Sequence, residues 1–68
     1  MNRTGVQSSN IKSIGFEDGT LEIEFLNGSV YQYFDVSQNV FDELMAATDS
    51  HGKYLSQNIK GRYRFARV

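Results

Sequence analysis

The chain has no cysteine. Disulfides and thiolate metal sites are thereby excluded, and a fold of this size must be held by packing or by self-association. There is a single histidine, His51. A metal site needs two or more ligands at set spacing, and a nucleophilic site needs a base plus an orienting group, so neither is expected. No apolar run approaches the roughly 18 residues that cross a bilayer. Residues 1–10 lack the apolar stretch of a secretory signal, which makes the cytoplasm the expected compartment and leaves no membrane partner. No glycine-rich phosphate loop is present, because the glycines of Asp18-Gly19 and Asn27-Gly28 sit where hairpins turn. With no convergent acid, base and nucleophile, the expectation is a non-enzymatic chain without metal or cofactor.

Positive charge is scarce through the first 51 residues, where only Arg3 and Lys12 face eight carboxylates. The last 17 residues reverse this. They hold Lys53, Lys60, Arg62, Arg64 and Arg67 and no acid, with Tyr54, Tyr63 and Phe65 between them. The total of −1 conceals the split. A basic end with interleaved aromatics points toward a polyanion.

Sixty-eight residues form one small domain. Such a chain buries only about 60% of the surface its unfolded form exposes. Ile11–Phe16 reads as a strand, and Asp18-Gly19 supplies a two-residue turn into Thr20–Phe25, whose apolar and polar residues alternate. This pairing places Ile14, Phe16, Leu21, Ile23 and Phe25 on one face. Glu22, Glu24, Ser13 and Gly15 fall on the other. Asn27-Gly28 turns the chain into Ser29–Phe34. A two-residue turn puts Gln32 on the core face and Tyr31 and Tyr33 on the open one. A three-residue loop with Gly28 in the left-handed region does the reverse. Both arrangements are open, and the cost of burying a glutamine amide weighs toward the second.

Ser37 suits a helix N-cap, with Val36 placed to staple onto Phe41. Val40, Phe41, Leu44 and Met45 then recur at helical spacing, which predicts a helix from Gln38 to about Ala47. Asp49 or Ser50 can cap a second helix reaching Asn58, with Leu55 and Ile59 inward and Tyr54 at the margin. Gly61 suits its exit. Arg62–Arg67 alternates as a last strand, with Tyr63 and Phe65 inward and Arg62 and Arg64 outward, about 7 Å apart. The predicted fold is α+β: a three-stranded antiparallel meander, two helices packed on one face, and a C-terminal fourth strand (β-β-β-α-α-β). Residues 1–9 read as a flexible N-terminal arm and residues 10–68 as the single domain.

The ordered set Ser8-Ser9-Asn10-Ile11, Leu21-Glu22-Ile23-Glu24-Phe25, Asn27-Gly28, Val30-Tyr31-Gln32-Tyr33 and Ser50-His51-Gly52-Lys53-Tyr54, with Val36, Leu44, Ala47, Ile59 and Tyr63, resembles the KTSC domain family. The family takes its name from the C-terminal end of some lysyl-tRNA synthetases. Ser37 stands where the family usually has proline, and Ser56 near a common asparagine. The family defines no catalytic residue to carry over. Its attachment to a tRNA-handling enzyme implies a role in contact with RNA.

The leading expectation is RNA or single-stranded nucleic-acid binding through the basic last helix and strand. Lys53, Lys60, Arg62, Arg64 and Arg67 would contact phosphates, and Tyr54 or Tyr63 would stack on a base. The alternative is a protein-interaction or self-assembly module using an edge strand, or Val30, Phe34 and Val68. The blander reading pairs the arginines with Glu22 and Glu24 on the sheet. Ser50-His51-Gly52 reads as a helix-start turn whose free N–H groups suit an anion. Oligomeric state is not legible in the residues.

Overall fold

Asp18 and Gly19 both adopt positive φ, the conformation a two-residue hairpin needs. The turn joins strands Ile11–Glu17 and Thr20–Phe25, which pair antiparallel with Phe16 opposite Leu21 and Ile14 opposite Ile23, as the alternation predicts. Further along, a β-bulge shifts the register between Ile11 and Ser13. The extra residue lets Ile11 and Ile14, three apart, both face the core. These coordinates are those of a computed structural model describing all 68 residues.

The second hairpin takes the three-residue loop. Gly28 has φ +91, the Phe25 N–H donates to the Ser29 carbonyl, and Tyr31 and Tyr33 lie opposite Ile23 and Leu21. Tyr33 is buried, and Gln32 joins Glu22 on the opposite face. The buried-amide cost and the left-handed glycine therefore act together to set the register.

The architecture in chain order is β1 (Arg3–Gly5), β2 (Ile11–Glu17), β3 (Thr20–Phe25), β4 (Val30–Tyr33), α1 (Gln38–Ala46), α2 (His51–Asn58) and β5 (Phe65–Arg67). The five strands form one antiparallel sheet in the order β1-β2-β3-β4-β5. The α+β fold and its C-terminal strand match the sequence reading, with one addition. Residues 1–9, read as an arm outside the domain, contribute the edge strand β1. Three exposed residues with no apolar alternation give no strand signal in sequence. The docking site is prepared instead by Gly15, where an added Cβ would lie 2.7 Å from the Asn2 carbonyl oxygen and 2.9 Å from Arg3 Cγ.

The core is a cluster of nine buried residues between the sheet and the helices: Ile11, Ile14, Leu21, Ile23, Tyr33, Val36, Leu44, Leu55 and Ile59. Each buried aliphatic side chain contributes about 1.5–3 kcal/mol. Phe16 stacks on Phe41 at 4.8 Å, fixing α1 over the first hairpin. Ser37 Oγ accepts from the Val40 N–H and caps α1. No such cap closes α2. Ser50 takes φ −153 and ψ 37, outside the extended geometry that aims a capping oxygen at the first turn, and it makes no side-chain cap bond.

Candidate nucleic-acid interface

The last strand is shorter than its alternation suggests. β5 begins at Phe65, while Gly61 and Arg62 belong to a turn in which the Arg62 N–H donates to the Ile59 carbonyl. Arg62 and Arg64 therefore do not share a strand face. Arg64 donates to Asp35 Oδ2 at 2.9 Å and lies 5.4 Å from the centre of the Phe34 ring. Glu22 and Glu24 do not pair with these arginines either. Arg3 on β1 bonds both of them, with Nη1 on Glu22 and Nη2 3.4 Å from Glu24 Oε1. Gln32 Nε2 donates to Glu22 at 2.8 Å, and Ser13 Oγ donates to Glu24 at 3.0 Å. The Gln32 bond, helped by Arg3 and opposed by desolvation, holds the Glu22 carboxyl below its ordinary value.

The two tyrosines expected to stack on bases are committed elsewhere. The Tyr54 hydroxyl donates to Glu43 Oε1 at 2.6 Å, tying α2 to α1, and this bond pushes the phenol up to about 12. Tyr63 is half-buried and packs against the core. Tyr33, buried deeper, has its phenol raised by desolvation.

Other aromatics are exposed in their place. Antiparallel pairing sets Phe65 opposite Tyr33 and Arg67 opposite Tyr31, so both rise on the helix side of the sheet. The eight residues of α2 extend about 12 Å, while five strands spaced by about 4.8 Å span about 19 Å. The β5 edge is left uncovered, and Phe65 is 59% exposed although it faces the predicted way. Its ring lies 5.9 Å from Tyr31, which meets Phe25 edge-on at 5.8 Å. Lys60 Nζ stands 5.2 Å from the centre of the Phe25 ring. These groups, with Asn27, Ser29 and Gly61, line a hollow of about 430 Å³ that contains no carboxylate.

Two further concavities continue from it. One of about 380 Å³ shares Phe25, Asn27 and Lys60 with the first and adds Ser9, Asn10 and Leu26. The other, of about 600 Å³, shares Ser9 and Asn10 with the second and reaches His51, Lys53 and Ser56 along α2. Three neighbouring concavities thus lie between Lys53 and Lys60, and the one at Lys60 is also lined by Phe65. Of the predicted cations, Lys53 and Lys60 line these concavities, Arg67 lies opposite Tyr31 on β5, Arg64 is tied to Asp35, and Arg62 lies in the turn before β5. Phe65 is exposed and Phe25 and Tyr31 are half-buried, although the sequence placed Phe25 and Phe65 inward and left Tyr31 open between two registers. Their shared face was legible from alternation, but its lack of a helical cover was not.

An antiparallel five-stranded meander with a helix pair on one face defines a small α+β module. The chain belongs to the KTSC domain family, whose signature matches residues 7–63. A crystal structure of a KTSC domain protein from Yersinia pestis superposes with a TM-score of 0.89 at 34% identity, over 98% of this chain and 96% of that one. An uncharacterized protein of Stutzerimonas stutzeri is 38% identical over 100% of this chain and 99% of its own length. A lysine–tRNA ligase of Nostoc punctiforme is 39% identical over 91% of this chain, a segment that makes up 11% of the ligase. No helix is long and apolar enough to cross a membrane, and no group of three or more acidic or histidine side chains is placed to hold a metal ion.

Proposed function

We propose that this domain binds single-stranded RNA in the concavities beside α2, without catalysing a reaction. The observation that carries the reading is the ring surface of exposed Phe65 and half-buried Tyr31 in a hollow lined by Lys60, with a further concavity lined by Lys53 nearby. Rings accept bases by stacking, and the cations meet phosphates along the same path. The lysine–tRNA ligase relatives support RNA as the polymer. The absence of a carboxylate from the first two concavities removes the repulsion expected of an acidic chain.

The test is a salt titration of binding to short single-stranded RNA. Three cations predict a slope of about −2 in log affinity against log salt. Binding with a flat salt response would reject the phosphate contacts. A second reading, self-assembly through the unpaired side of β5, draws on the exposure of Phe65 and Val68 at 59% and 65%. Sedimentation of the free chain separates the two, because self-assembly requires a concentration-dependent dimer.

A further inference from the structure

The loop between β3 and β4 carries chemistry of its own. Asparagine stands at positions 2, 10, 27, 39 and 58, and Asn27 alone is followed by glycine. A main-chain nitrogen can attack the preceding asparagine side chain and close a succinimide ring, the route by which asparagine is lost from proteins. A side chain on the attacking residue crowds that closure. Arg3, Ile11, Val40 and Ile59 present one after the other asparagines, and all but Arg3 are branched at Cβ. Gly28 presents none, and a Cβ added there would meet nothing within 4 Å. Asn27 and Gly28 are both exposed, so water reaches the pair.

The fold also prepares the Asn27 carbonyl. Its Oδ1 accepts from the Ser29 N–H at 3.0 Å and from Ser29 Oγ at 2.7 Å. The first bond closes a ring that includes the Gly28 nitrogen, which keeps the side-chain carbonyl beside the peptide that attacks it. Both donors sit on the oxygen where negative charge develops as the nitrogen adds, at separations that stabilise an oxyanion. Asn10 and Asn58 are held differently. Asn10 packs over Gly52, and Asn58 Nδ2 donates to the Tyr54 carbonyl. One bond opposes the reaction at Asn27: the Gly28 N–H donates to the Phe25 carbonyl at 2.9 Å and must let go first. The chemistry is therefore slow and records the age of the protein.

We infer that Asn27 is a site of spontaneous deamidation that adds a carboxylate to the hollow lined by Lys60. Base removes the Gly28 amide proton, the nitrogen bonds to Asn27 Cγ, the Cγ–Nδ2 bond breaks, and ammonia leaves with a proton from water. Water then opens the succinimide. Addition at Cγ gives aspartate, and addition at the main-chain carbonyl carbon gives isoaspartate, with the chain rerouted through Cβ and Cγ. Water is consumed and ammonia released, with no oxidant or cofactor. Aspartate keeps an acceptor for both Ser29 donors, so the loop closed by the Phe25 N–H and the Ser29 carbonyl persists. Isoaspartate adds a main-chain carbon inside that loop and loosens the pairing of Val30 with Glu24. Either product places negative charge in the two concavities that Asn27 and Lys60 share. The consequence for RNA rests on the binding proposed above; the reaction itself does not.

The experiment is ageing of the folded chain at neutral and mildly alkaline pH, followed by intact mass and peptide mapping. An amide-to-acid mass gain confined to the peptide holding residue 27 is expected, faster at alkaline pH because base takes the Gly28 proton. No gain there over weeks, or equal rates at Asn10 and Asn58, overturns the site. Ser29→Ala keeps the N–H donor and loses the hydroxyl, and should slow the gain about fivefold; an unchanged rate overturns the part given to Ser29. Asn27→Asp should melt with the unaged chain and bind short single-stranded RNA about fivefold more weakly at low salt. Unchanged affinity of Asn27→Asp beside weakened binding by Lys60→Glu overturns the effect on the hollow and leaves RNA binding standing. If the unaged chain binds no RNA, the proposed binding and the effect on it fail together, while the mass gain still decides the reaction.

Discussion

At the β1 edge of the sheet, cations and acids cancel. Arg3 crosses from β1 to Glu22 and Glu24, Ser13 and Gln32 complete the network, and no fully buried side-chain polar atom is left without a partner. Toward the β5 edge Arg64 pairs with Asp35, but Lys60 and Arg67 meet no acid. Lys60 stands over Phe25, and Arg67 lies opposite Tyr31 beside an exposed Phe65. The contrast separates two uses of the same residue types. A cation within reach of a fixed carboxylate contributes to folding, whereas one placed over an aromatic surface remains available to a phosphate.

Reversing charge at the open edge should have the largest effect. Lys60→Glu with Arg67→Glu is expected to weaken RNA binding about a hundredfold at low salt while leaving the melting temperature nearly unchanged. Fluorescence anisotropy alongside thermal unfolding would show both; unfolding of the double variant would mean that the open edge is structural after all. At the closed edge, Gly15→Val fills the space used by Asn2 and Arg3. Loss of β1 docking should cost about 1–3 kcal/mol in chemical denaturation, with faster amide exchange in β2 and no change in RNA affinity.

Phe65→Ala sharpens the comparison further. Base stacking contributes about 1–3 kcal/mol per base, so affinity should fall at least about fivefold. Its 59% exposure keeps the stability change small. Unaltered affinity would remove stacking from the proposed mode of binding.

The closed edge also carries a pH signature. Because Gln32 and Arg3 lower the folded-state pKa of Glu22, its contribution is fully present above the ordinary value of 4.5 and is lost as pH falls through the lowered one. Glu22→Gln should flatten this acid limb in unfolding measured against pH. Tyr54 acts in the opposite sense between α1 and α2. Its phenol is raised to about 12 by the bond to Glu43, so that contribution is complete below about pH 10 and fades as pH rises through about 12. The smallest effect is expected from Arg64→Ala. Its partner Asp35 is exposed, and such pairs contribute about 0–1 kcal/mol. RNA affinity should not move.

Local chemistry was legible along the chain. Asp18-Gly19 fixed the first hairpin, and the penalty for burying Gln32 favoured the register that Gly28 adopts. Ser37 marked the start of α1, and Leu44, Leu55 and Ile59 declared the inward stripes. The edges were harder to read. β1 shows no periodicity because it docks through backbone pairing and one arginine rather than through an apolar face. Arg62 and Arg64 appeared equivalent by alternation, but the turn after α2 delays the strand to Phe65.

Sequence alone determined the order of elements after β1, the inward-facing residues of the first hairpin and the helices, and the concentration of positive charge near the end, because each depends on neighbours a few positions apart. Tertiary structure decided which cations found acids, which rings stayed uncovered, and that Ser8-Ser9-Asn10 meets His51 and Gly52. Those outcomes depend on the reach of two short helices across a wider sheet and on contacts between distant segments, distances that no local pattern encodes.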